Sequence, residues 1–164
     1  MLVRYLKIAL TLFMALFCLF YATQNIFNLQ SAHWFVATML SMEGHEMYPG
    51  HFGPPVSNPV LAWSALWIII LLEYLAGFLA MKGAWDLWSA KAATAETFQE
   101  KKYFVMASAG VALFIWFGLF SAIGGGYLQM WQTEAGTGAL QGSFWYFAGI
   151  ALVALYINQP DAEA

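Results

Sequence analysis

The sequence predicts an all-α polytopic membrane protein, a single domain of four transmembrane helices with both termini cytoplasmic. Three observations carry this. Hydrophobic residues make up 62% and charged residues 9% of 164 positions, against roughly 25% charged in soluble domains. The apolar residues fall in four blocks of spanning length, since about 20 helical residues cross ~30 Å of hydrocarbon. All six Lys and Arg residues lie on one side of those blocks.

The first block covers 5–27. Arg4 and Lys7 ahead of it resemble the start of a signal peptide, but the apolar run exceeds the ~7–15 residues of a signal core and no small-x-small cleavage site follows. It reads as a retained span. The second block, 60–81, opens after Gly53-Pro54-Pro55 and Pro59, whose rings interrupt a helix. The third, 104–124, ends on Gly124-Gly125-Gly126, and the fourth, 140–158, stops before Pro160. Arg4 and Lys7 precede the first span, and Lys82, Lys91, Lys101 and Lys102 occupy the connection 82–103. The connections 28–59 and 125–139 hold no Lys or Arg. The positive-inside rule therefore places 82–103 and both termini in the cytoplasm, as expected in a bacterial inner membrane. Continuous apolar runs without alternation favour helices over barrel strands.

Aromatic residues mark the expected interfaces: Trp34, Trp63, Tyr127, Trp131 and Trp145 outside, Trp85 and Trp88 inside. The Ala-rich stretch 83–103, with Asp86, Lys91, Glu96, Glu100 and Lys101, reads as a helical hairpin prolonging the second and third spans. Small residues repeat at four-residue spacing as Ala76/Ala80, Gly118/Ala122 and Ser121/Gly125, a pattern that lets helix backbones approach closely.

Several function classes find no support. A net charge of −3 with no basic run gives nucleic acid nothing to bind. One cysteine, Cys18, cannot form an internal disulfide and reads as a small buried apolar residue. No span contains a histidine to ligate haem. Gly124-Gly125-Gly126 lacks the Gly-Lys-Ser continuation of a phosphate loop, and no Ser or Cys stands in a nucleophile elbow. The expectation is a protein without catalysis or cofactor.

Two features could carry chemistry. Glu73 is the one Asp, Glu, Lys, Arg or His in the interior of a predicted span, Lys7 standing in the first turn of the block 5–27. A charge at that depth costs roughly 2.5–3.5 kcal/mol, so intramembrane acids are functional by default. Three roles stay open: a protonated acid bonded to a hydroxyl such as Ser64, Ser108 or Ser121, a partner for a basic group on another subunit or a ligand, or a proton or ion relay. The second feature is the outer stretch 39–52, where His45 and His51 stand with Glu43, Glu46, Met42 and Met47. Imidazole, carboxylate and thioether suit zinc or copper, although His45-Glu46 lacks the second His of a zinc-protease motif. A structural loop is the plainer reading. His33, beside Trp34, reads as interfacial.

Phe35-Val36, Leu40-Ser41-Met42-Glu43 with Tyr48-Pro49-Gly50, Glu73, Gly83-Ala84 with Leu87, Trp116-Phe117-Gly118, and Gly124-Gly125 leading to Met130-Trp131-Gln132 resemble a bacterial family of predicted small integral membrane proteins. The resemblance covers about residues 4–157 and implies a four-span architecture but no activity. The family pattern has an acid and an aromatic pair where this chain has Gly126-Tyr127-Leu128. It also has a Trp-Asn-Gly-Gln-like stretch and an arginine entering the last span, where this chain has Gly136-Thr137-Gly138-Ala139 and Ser143-Phe144-Trp145. Any outer polar site built on that acid and arginine is, by this comparison, altered here.

The functional expectation is an accessory or scaffold subunit of a larger membrane complex, with the lipid bilayer and other subunits or a second copy as partners. The alternatives are a small transporter or channel component using Glu73, and outer-face metal handling through His45 and His51.

Overall fold

The computed structural model describes residues 1–48 and 50–162, so Pro49 of the resemblance lies outside the described residues. Helix α1 is Leu2–Phe27, α2 Leu29–Ser41, α3 Pro59–Ser89, α4 Ala95–Glu100 and α5 Tyr103–Leu113. The last runs on as a π-helical segment, Phe114–Tyr127, and after a 3₁₀ turn, Met130–Gln132, α6 follows at Glu134–Asn158. No strand occurs among the described residues. Four stretches are long and apolar enough to cross a membrane: Leu2–Phe27, Pro59–Ser89, Ala95–Tyr127 and Glu134–Asn158.

The largest departure from the sequence reading is α2, which lies in the segment 28–59 taken there as an outer connection. Asn28 interrupts the helix without ending it. At φ −115° and ψ 36° it leaves helical geometry, its side-chain amide donates to the Gln24 carbonyl at 2.9 Å, and the helix resumes at Leu29. Polar residues such as Gln30, Ser31 and His33 hid α2 from a search for apolar blocks. Together α1 and α2 run antiparallel along the whole of α3. The rungs descend in order: Tyr5 against Trp88 with ring centroids 6.0 Å apart, the Thr23 and Tyr74 hydroxyls at 3.2 Å, His33 stacked on Trp63 at 3.9 Å, and Val56 N–H donating to the Leu40 carbonyl at 2.8 Å.

Local chemistry fixes the other boundaries. Pro59 opens α3 and the Asn58 side-chain oxygen accepts from the Val60 N–H at 2.9 Å, a capped start with proline at the first helical position. Helix α6 begins at Glu134, six residues before the apolar block. There the Thr133 hydroxyl accepts from the Gly136 N–H at 3.0 Å, and Glu134 suits the positive end of the helix dipole. In the π-helical segment Leu128 N–H reaches Ile123 O at 2.8 Å, five residues back. The Ser121 hydroxyl likewise donates to Trp116 O at 3.1 Å.

The small-residue stripes divide. Ala76 and Ala80 are fully buried, and the Ser108 hydroxyl of α5 donates to the Ala76 carbonyl at 2.7 Å. Gly83 is needed at the same interface, because a Cβ there would stand 2.7 Å from Val105 Cγ2 and 2.9 Å from its backbone nitrogen. Gly118 and Ala122 face outward instead. A Cβ at Gly118 would meet only the Phe114 ring of its own helix, at 3.7 Å, and Ala122 is exposed.

At the end of the bundle that carries the Lys and Arg residues, the chain after α6 folds back against three buried cations. Arg4, Lys7 and Lys102 are each no more than 2% exposed. The Asp161 carboxylate accepts from Lys7 Nζ at 3.0 Å and from Lys102 Nζ at 2.5 Å. The Gln159 carbonyl accepts from the same two ammonium groups at 2.6 and 2.9 Å. Arg4 donates to the carbonyls of Lys91, Ala93 and Ala162, and its guanidinium lies 4.9 Å from the centroid of the Phe98 ring. One carboxylate thereby ties α1, α5 and the tail together.

Burial alone would raise the Asp161 carboxyl, but the hydrogen bonds from Lys102 and Lys7 outweigh it and hold the group below the ordinary carboxylate range. Its contribution is therefore complete above the ordinary aspartate pKa near ~3.9 and is lost as pH falls through the lowered value. A spin label on Ala162→Cys, in a Cys18→Ala background, is expected to be immobilised at neutral pH and mobile only well below that range. With Asp161→Asn it is expected to be mobile at both pH values.

Candidate functional site

Glu73 lies on the α3 face turned into the bundle and is 2% exposed. Its partner is none of the serines proposed from sequence. Ser64 donates to Val60 O, Ser108 to Ala76 O and Ser121 to Trp116 O. The Asn25 side-chain amide of α1 donates to Glu73 Oε2 at 2.9 Å, and among the described residues no donor reaches the second oxygen. Asn25 was passed over because it is uncharged and near the end of its apolar block. A carboxamide one helix away is nonetheless the kind of group that bridges helices in lipid.

In front of Glu73 is a cavity of about 310 Å³. Every long helix contributes to its wall: Tyr21 and Asn25 from α1, Phe35 and Val36 from α2, Leu66 and Ile69 from α3. Trp116 and Phe120 come from the π-helical segment, and Gly138, Gly142, Ser143 and Tyr146 from α6. The first turns of α6, which line it, are poor in side chains, with Gly138 exposed. A Cβ at Gly138 would find no atom within 4 Å, although glycine inside a helix costs roughly 0.5–1 kcal/mol relative to alanine. A second, almost wholly apolar cavity of about 200 Å³ shares Phe35, Val36, Ile69 and Phe120 with the first and extends to Met39, Leu40, Gly124 and Met130.

The aromatic wall is pre-arranged. Tyr21 and Tyr146 have ring centroids 4.8 Å apart, Tyr21 and Trp116 6.1 Å, and Trp116 and Tyr146 5.8 Å, in tilted or edge-to-face contact. Phe17 packs behind them, 5.2 Å from Trp116. Of these rings the sequence singles out Trp116 alone, through the family resemblance; aromatics in a span are otherwise indistinguishable from lipid-facing ones.

The histidines that follow α2 form a different arrangement. The His45 and His51 rings come within 6.2 Å of each other, centroid to centroid, and both His45 nitrogens lack a hydrogen-bond partner. Glu43 and Glu46 do not join them: among the described residues no group of three or more His, Cys, Asp or Glu side chains gathers in metal-binding geometry. Burial, and then the neighbouring His51, lowers the pKa of His45, which keeps its imidazole neutral at pH 7. His33 stacks on Trp63 and takes no part. Cys18 is fully buried in the core.

A family model described as "predicted small integral membrane protein (DUF2165)" matches residues 3–160. The chain belongs to this family. Neither curated proteins nor solved structures yield a match. For this DUF2165 protein, the segments that carried the resemblance converge in space: Phe35, Val36, Glu73 and Trp116 line the polar cavity, while Leu40, Gly124 and Met130 line its apolar neighbour.

The Asn25–Glu73 pair makes a definite energetic prediction. Asn25→Leu leaves the buried carboxyl without a donor and is expected to lower stability in detergent by about 0.6–2 kcal/mol, the range for interhelical hydrogen bonds in membrane proteins. Glu73→Gln keeps an acceptor for Asn25 and is expected to be neutral or stabilising. A double-mutant cycle by thermal unfolding measures the coupling between the two.

Proposed function

We propose that this protein is a non-enzymatic accessory subunit of a larger bacterial inner-membrane assembly, to which it contributes a ligand-binding cavity centred on Glu73. The cavity carries this reading. An apolar chamber with a few convergent polar groups, pre-formed between helices, is the usual form of a small-molecule site, and here it lies against Glu73, the one carboxyl inside the four apolar blocks of the sequence. The accessory role draws on the outward Gly118–Ala122 stripe, which offers a neighbouring helix close backbone approach. In such an assembly Glu73 serves a transport or channel component by holding the ligand.

Native mass spectrometry of the full chain released from mild detergent tests the cavity. Wild-type protein is expected to retain a small molecule that Gly142→Leu, which places a side chain against Tyr146 in the cavity wall, loses. Identical unliganded masses for both would overturn the reading.

A further inference from the structure

We infer that the Glu73 cavity binds a small organic cation of the alkylammonium class, with its cationic head against Glu73 and its apolar part directed into the adjoining apolar cavity. This rests on reading the cavity as a ligand site. Asn25 occupies Glu73 Oε2 at 2.9 Å, and among the described residues nothing donates to the other oxygen. No Lys, Arg or His lines the cavity, so an ionised Glu73 has to find its counter-charge in the occupant.

The walls decide which cation fits. Calcium takes six to eight oxygen ligands and magnesium demands a near-octahedral set. Beyond Glu73 and Asn25, the side-chain oxygens in the lining are the hydroxyls of Tyr21, Ser143 and Tyr146. Such a set is too sparse for a hard inorganic ion. An alkylammonium needs no oxygen shell. Its charge is spread over an apolar surface, which aromatic faces attract, most strongly where water is excluded. Five aromatic side chains line the cavity, namely Tyr21, Phe35, Trp116, Phe120 and Tyr146. Two of them, Phe35 and Phe120, also line the apolar extension, so a head group against Glu73 has a continuous path for a hydrocarbon substituent.

The test is isothermal titration of the purified full chain in dodecyl maltoside, a detergent without charge or ammonium groups. The probes are choline, tetraethylammonium and 3,3-dimethylbutan-1-ol, the neutral isostere of choline. Wild-type protein is expected to bind at least one cation ~10-fold or more tightly than the alcohol. Glu73→Gln, which preserves the Asn25 acceptor, is expected to abolish that preference and leave the alcohol unaffected. Phe120→Leu, at a half-buried wall position, is expected to weaken cation binding several-fold with Glu73 intact, and so reports independently should Glu73→Gln fail to fold. Equal binding of cation and alcohol, unchanged in Glu73→Gln, would overturn the charge assignment and leave a neutral-ligand cavity. Absence of binding by every probe would also overturn it, while the retained-ligand measurement, which presupposes no charge, decides the cavity by itself.

Discussion

A carboxyl group in the middle of an apolar bundle imposes a condition on everything around it. Its charge costs several kcal/mol in hydrocarbon, so it has to face the protein interior, meet a donor and have room for whatever completes its coordination. Helix α1 meets the second requirement with Asn25. The third is met by the glycines of α6 and by the π-helical segment, which presents Trp116 and Phe120 to the same space. Glycine at Gly138 is helix-destabilising and packs against nothing.

Around this site the bundle is held at two ends by different means. At the basic end the contacts are ionic and buried: Asp161 joins Lys7 and Lys102, with Phe98 packed beneath the cations. Removing Asp161 from this cluster leaves Lys7 and Lys102 desolvated without a counter-charge, which typically costs 3–5 kcal/mol. At the opposite end the contacts are aromatic and amide. Tyr48 packs on Trp131 at 5.0 Å and Phe52 on Tyr127 at 4.8 Å, while the Tyr48 N–H donates to Gln132 at 2.8 Å. The segment following α2 thus covers the turn between the third and fourth spans. Between these ends, α1 and α2 brace α3 along its length, so the helix bearing Glu73 is supported on both sides of the site.

Much of this was legible in the sequence. Apolar block length announced four helices, and the position of Glu73 announced a buried acid, because both depend on composition along one stretch of chain. What escaped was whatever depends on neighbours. Asn25 carries no charge to mark it, and α2 is too polar for a hydropathy search yet long enough to wall the cavity. Gly136 and Gly138 look like a loop until Thr133 and Glu134 are seen starting a helix there. The burial of Arg4, Lys7 and Lys102 has no local signal, because Asp161, which returns to meet Lys7 and Lys102, lies at the far end of the chain. The hydroxyl partners expected for Glu73 failed for a related reason: Ser64, Ser108 and Ser121 each donate to a backbone carbonyl, Ser64 and Ser121 within their own helices and Ser108 across to α3.

The claim on which the rest turns is that Asn25 holds Glu73 inside the closed bundle. Solid-state NMR can read this directly as the dipolar coupling between ¹³Cδ of Glu73 and ¹⁵Nδ2 of Asn25 in lipid bilayers, assigned by difference against Glu73→Gln. The account predicts strong dephasing, as for a carboxylate and an amide in hydrogen-bond contact. No coupling in protein that is otherwise folded would contradict it.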